Sequence, residues 1–113
     1  MKATITSIKL KSWFSFFPLS MYAMQVIRQM NSSGHLDFKK TGVGKLHYTM
    51  SLWKNEEDMR NFARSGAHLE AMRNSKKIAT EIRTITIDTD QLPGWSDAKS
   101  LLMGPDVKVI VFK

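Results

Sequence analysis

The chain contains no cysteine. That absence excludes disulfide frameworks, thiolate zinc sites, iron–sulfur clusters and thiol nucleophiles together. It also fits a reducing cytoplasm, which is the location expected here. Proline is scarce, 3 in 113 residues, and acidic charge is low, with 10 Asp and Glu against 17 Lys and Arg. The resulting net charge of +7 raises nucleic acid as a partner. The basic residues are scattered, however, in no run longer than a pair, and no aromatic RNA-binding signature accompanies them. A solvated basic surface is therefore the preferred reading, and nucleic acid is not expected. Long apolar runs are missing too. The stretch Trp13-Phe14-Ser15-Phe16-Phe17-Pro18-Leu19 falls far short of the ~20 residues a bilayer span needs. No small-x-small cleavage site follows it, so neither a signal peptide nor a membrane partner is expected.

What remains is ordinary for a folded protein, with 42% hydrophobic and 24% charged residues. The length allows one core, and a single domain over residues 1–113 is expected. Ile5, Ile8 and Leu10 among Thr, Ser and Lys predict a first strand near residues 3–12, with an irregularity between Ile5 and Ile8. Pro18 suits a helix start, and Leu19, Tyr22, Ala23, Val26, Ile27 and Met30 recur at helical spacing. Asn31-Ser32-Ser33-Gly34 stops that helix. A short alternation over residues 35–39 is followed by a turn or loop at Thr41-Gly42-Val43-Gly44.

Residues 45–53 give the clearest strand. Leu46, Tyr48, Met50 and Leu52 share one face; His47, Thr49, Ser51 and Trp53 share the other. Asn55 is a good N-cap ahead of Glu56, Glu57 and Asp58. Met59, Phe62 and Ala63 follow as a buried stripe, Ser65-Gly66 breaks the helix, and a second piece carries Ala67, Leu69, Ala71, Met72 and Ile78. Ile82, Ile85 and Ile87 mark another strand. Residues 91–105 read as irregular with one helical turn, and Val107 to Phe112 as a last strand. The order is the split βαβ plan, an α+β ferredoxin-like βαββαβ antiparallel sheet with an extra C-terminal strand. Helices would cover one face only, so a homodimer pairing sheet with sheet is expected to bury the other.

Ser51-Leu52-Trp53, the acidic helix start, Met59-Arg60-Asn61-Phe62-Ala63, Ser65-Gly66-Ala67-His68 and Ala71-Met72 together resemble the dimeric α/β-barrel superfamily. Within it the pattern is most similar to the spheroidene-monooxygenase-like proteins and a related family of uncharacterised proteins. Gly42-Val43-Gly44 followed by Tyr48 to Trp53 extends the similarity, which covers about residues 42–85. The resemblance implies a monooxygenase-like protein binding a small hydrophobic molecule, with haem among the candidates; a non-catalytic ligand-binding or assembly barrel is the alternative. The superfamily's antibiotic-biosynthesis and haem-degrading monooxygenases use an Asn, a Trp and a His. Here Phe62 and Met72 stand at the Trp and His positions, and the first strand has no Asn.

His68 is the catalytic and cofactor-binding candidate that the resemblance implies, as an axial haem ligand or proton donor. Its structural alternative is a ring bonded to backbone at the Ser65-Gly66 break. His47 and Trp53 join it as cofactor-binding candidates: with Thr49 and Ser51 they would form a polar-aromatic wall of the barrel cavity. His47 at a sheet end, and Trp53 as a packing anchor, are the competing readings. The methionines, Met21, Met24, Met30, Met50, Met59 and Met72 among them, are expected to fill core. No metal site is expected from three separated histidines, and Gly42-Val43-Gly44, which precedes a strand, is no phosphate loop.

Overall fold

The computed structural model describes residues 1–12, 16–31, 35–64 and 66–112, with the side chains at 16–18, 20, 22, 29–31, 43 and 66–71 left aside. In chain order the elements are β1 (Lys2–Leu10), α1 (Phe16–Asn31), β2 (Asp37–Val43), β3 (Leu46–Trp53), α2 (Glu56–Ala63), α3 (Gly66–Ile78), β4 (Ala79–Asp88), α4 (Trp95–Leu102) and β5 (Lys108–Val111). The strands form one antiparallel sheet in the order β2-β3-β1-β4-β5. This is the expected α+β ferredoxin-like fold with an added edge strand. Trp13 to Ser15, Ser32 to Gly34 and Ser65, parts of the apolar stretch, the helix stop and the helix break read above, lie outside the described residues.

The alternation of β1 decides which face is dry. Ala3, Ile5 and Ser7 are buried, and their cross-strand neighbours are Leu52, Met50 and Tyr48 on β3 and Ile87, Ile85 and Arg83 on β4. On this face Ala3, Ile5, Met50, Leu52 and Ile85 form a core with Leu92, Ala98 and Leu102. The expected bare face is thus roofed from within the chain. Residues 91–105 are not a loose turn: α4 runs two turns and lays Ala98 and Leu102 onto the sheet, a fully buried leucine contributing about 1.5–3 kcal/mol and an alanine methyl less than about 1. Arg83 on the same face donates from Nη1 to the Leu102 carbonyl at 3.3 Å, holding the C-terminal end of α4 to β4. Trp95 packs near Tyr48, ring centroids 6.3 Å apart, and the Lys99 ammonium sits 5.0 Å from the Tyr48 ring centre.

The opposite face carries α1 and α2, while α3 packs against α1. Asn55 caps α2 as expected, its Oδ1 accepting from the Asp58 N–H at 2.8 Å. Other boundaries moved. The Thr41-Gly42-Val43 stretch belongs to β2, and the turn is at Gly44, whose φ of 62° is the left-handed conformation glycine adopts without strain. The irregularity of β1 lies at Lys9/Leu10 in its pairing with β4, not between Ile5 and Ile8, which simply face opposite ways. Met21, Met24 and Met72 are exposed and do not fill core; Met50 does.

Candidate functional site

The face beneath α1 and α2 is unusual in being built from hydroxyls. Thr49, Thr6 and Thr84 are cross-strand partners in one row over β3, β1 and β4; Ser51, Thr4 and Thr86 form the next row. Threonine suits strands because its branched Cβ packs on the pleat, so the three central strands carry this floor at no cost in propensity. Thr6 and Thr84 are hydrogen-bonded at 3.2 Å and Thr4 and Thr86 at 3.3 Å, either hydroxyl donating. Such pairs contribute about 0.2–1 kcal/mol each to sheet pairing.

The floor is closed at one end. Trp53 is 1% exposed and stacks obliquely on Phe62, centroids 5.0 Å apart, with Val26, Phe38 and Met59 packed around the pair. Its Nε1–H donates to Ser51 Oγ at 2.9 Å, and the His35 ring meets its edge at 6.3 Å. Thr4 Oγ1 donates to the Met59 thioether at 2.8 Å. One member of each row is exposed, Thr49 in the first and Thr86 in the second, and Thr4, Thr6, Ser51 and Thr84 are half-buried. The result is a half-buried floor that donates and accepts hydrogen bonds, flanked by an apolar, sulfur-bearing end wall. The rows contain no ionisable group, and the described residues hold no cluster of His, Cys, Asp or Glu suited to a metal.

Two of the candidate residues, His47 and Trp53, are not brought together. His47 shares the sheet face with Trp53 but lies six positions along β3, about 20 Å at strand rise. Its Nε2 lies 3.0 Å from the Gly44 carbonyl, and its ring covers Gly42, the residue directly opposite on β2. That geometry closes a hairpin. His68 falls on α3, and its side chain lies outside the described residues. The wall expected to line an inter-sheet barrel, His47 to Trp53, instead faces the helices; Leu46, Tyr48, Met50 and Leu52 face the other way. Sequence reasoning did not single out Thr4, Thr6, Thr84, Thr86 or His35. The signal for the threonines was present in Thr4-x-Thr6 and Thr84-x-Thr86, where polar period-two positions on central strands indicate a polar lining.

No family model matches the chain, and no curated protein matches it in sequence. Solved structures do match. One is an antibiotic biosynthesis monooxygenase, TM-score 0.68 at 9% identity, covering 80% of this chain and 100% of the other. The fold is that of the antibiotic biosynthesis monooxygenases. Rv0793 from Mycobacterium tuberculosis superposes with TM-score 0.69 at 8% identity over 82% of this chain and 98% of its own. SnoaB from Streptomyces nogalater, a cofactor-independent oxygenase, gives 0.62 at 10% over 80% and 94%. These structures differ almost completely from this chain in sequence, so the likeness is one of backbone.

Proposed function

We propose that the chain is a monooxygenase-like protein that binds a small, largely apolar molecule between the threonine floor and helices α1 and α2. The observation that carries the reading is the Thr6–Thr84 and Thr4–Thr86 rows lying under the Met59, Phe62 and Trp53 wall. Hydroxyls at half-buried positions satisfy one another only in part, since each can also serve a ligand oxygen. An apolar body would lie against Met59 and Phe62 while its polar edge meets the floor. SnoaB, of similar fold, is described as cofactor-independent, and an organic ligand used without a resident cofactor suits this lining. Haem fits His47 poorly, because its ring is engaged with Gly44 and Gly42; an axial role would fall to His68. The specific kinship with spheroidene-monooxygenase-like proteins belongs to the same reading. So do a cytoplasmic location and a homodimer, the latter supported by β5, whose Val109, Ile110 and Val111 are 42%, 38% and 63% exposed.

One observation favours the non-catalytic alternative: the floor has no acid or base to move a proton. Titration with a dihydroxynaphthalene, followed by tryptophan fluorescence and by oxygen uptake, separates the cases. Saturable quenching that weakens about tenfold in Thr6→Val with Thr84→Val, as expected for two lost hydrogen bonds, supports the site. Oxygen uptake above the buffer rate makes it an oxygenase; quenching alone makes it a binder. A parallel haemin titration giving a sharp Soret band that is lost in His68→Ala would move the reading to haem.

A further inference from the structure

The charge is not evenly spread over the fold. At one end of the sheet Lys9 is the penultimate residue of β1, Lys11 donates its backbone N–H to the Ile78 carbonyl at 2.8 Å, and the Lys45 carbonyl accepts from the Leu10 N–H at 2.8 Å. These bonds gather Lys9, Lys11 and Lys45 beside Lys76 and Lys77, which lie in the last turn of α3 directly before Ile78. All five lysines are exposed. The acid placed nearest by the strand register is Glu81, opposite Lys9, and it is ion-paired with Arg83 at 2.8 Å. At the other end, seven residues along β1 and about 23 Å away at strand rise, lie Asp37, Asp88 and the Glu56–Asp58 turn, with Asp88 paired to Lys2 and Glu56 to Arg60. Among the lysines lies Leu46, 39% exposed, opposite Lys9 in the register.

We propose that this lysine end is a docking surface for acidic phospholipid headgroups. Lysines on flexible stems around an exposed leucine suit a soft anionic layer: the ammonium groups meet phosphates while the aliphatic side chain enters the boundary. A second copy's acidic end would also be complementary, but that contact is head-to-tail and does not close, and it opposes the +7 charge that every copy carries. Nucleic acid is the competing anionic partner, and since its readout also draws on stacking aromatics, the duplex arm of the test separates the two. The surface is peripheral in kind, since no described helix is long and apolar enough to cross a bilayer; that absence bears on spans and not on surface contact.

The test is sedimentation of the full chain with phosphatidylcholine vesicles, with and without phosphatidylglycerol, at low and high salt. Two variants of equal net charge are compared. One reverses the patch with Lys11→Glu, Lys45→Glu, Lys76→Glu and Lys77→Glu; the other reverses Lys39→Glu, Lys54→Glu, Lys99→Glu and Lys108→Glu. One lysine near an anionic bilayer contributes about fivefold to partitioning, so the patch variant is expected to lose at least about a hundredfold and the control far less. Leu46→Ser is expected to lower the fraction that resists salt. Failure to partition onto phosphatidylglycerol vesicles at low salt overturns the proposal. Equal loss in both variants overturns it too, as does tighter patch-dependent binding to a DNA duplex than to vesicles.

Discussion

The Trp53 indole and the Ser51 hydroxyl are bonded at 2.9 Å two positions apart on the same face of β3, so the largest buried side chain has its polar atom satisfied by its own strand. Ser51→Ala leaves that N–H buried without its acceptor and is expected to cost about 1–3 kcal/mol. Trp53→Ala, which empties the cluster with Phe62, is expected to cost about 3–5 kcal/mol. Urea midpoints followed by near-ultraviolet circular dichroism check both. A Ser51→Ala midpoint equal to that of the parent would show that the indole finds another acceptor.

On the other face, α4 behaves as a lid on the apolar side of the sheet. Leu102 is 1% exposed, and its carbonyl is held by Arg83. Leu102→Ala is expected to destabilise the fold by about 2–5 kcal/mol. Hydrogen exchange should accelerate over residues 95–102 before it does over β1. Uniform acceleration would instead make α4 part of a single cooperative unit.

Gly42 and His47 form a third dependent pair. A Cβ at Gly42 would collide with His47 Nδ1, so the ring must leave its place against the Gly44 carbonyl. Gly42→Ala is expected to lose about 0.5–1.5 kcal/mol. Combining it with His47→Ala should cost less than the sum of the two single changes. Strict additivity in that thermal-denaturation cycle would argue against the contact.

Lys2 and Asp88 are bonded at 2.6 Å across β1 and β4. The hydrogen bond from Lys2, and then its charge, hold the Asp88 carboxyl below its ordinary value of 3.8, and the same bond raises Lys2 above 10.5. The acid contribution is present above pH 3.8 and is lost as pH falls through the lowered folded value. The lysine contribution is full below pH 10.5 and fades as pH rises through the raised value. Asp88→Asn should therefore flatten both limbs of melting temperature against pH, modestly, because the carboxylate is 83% exposed. Limbs identical to those of the parent would mean the pair contributes nothing.

Strand identity was legible wherever one face was dry. Leu46 to Trp53 alternates because β3 is central, with core on one side and hydroxyls on the other, and Asn55 marks the next helix by chemistry that is purely local. The residues that failed are those whose role is set at a distance. The Thr41-Gly42-Val43 stretch resembles a turn, but pairing with β3 and the His47 ring over Gly42 make it strand. Residues 91–105 contain Pro93 and Gly94, which punctuate the chain, and nothing local reveals that Ala98 and Leu102 find an apolar sheet to cover. The candidate site was half visible: Thr49 and Ser51 were placed on one face with Trp53, while their partners on β1 and β4 depend on cross-strand register, which no single segment encodes.

The contrast between the two faces also acts on the chain while it folds. A slip of one residue in β1 would present Thr4 and Thr6 to Ala98 and Leu102, and Ala3 and Ile5 to the half-buried opposite face. Both faces would then be wrong at once, since a side-chain period of two exchanges the whole apolar set for the polar one. Misaligned pairings are therefore penalised twice, and the threonines that furnish a binding floor serve equally as an alignment code for the sheet.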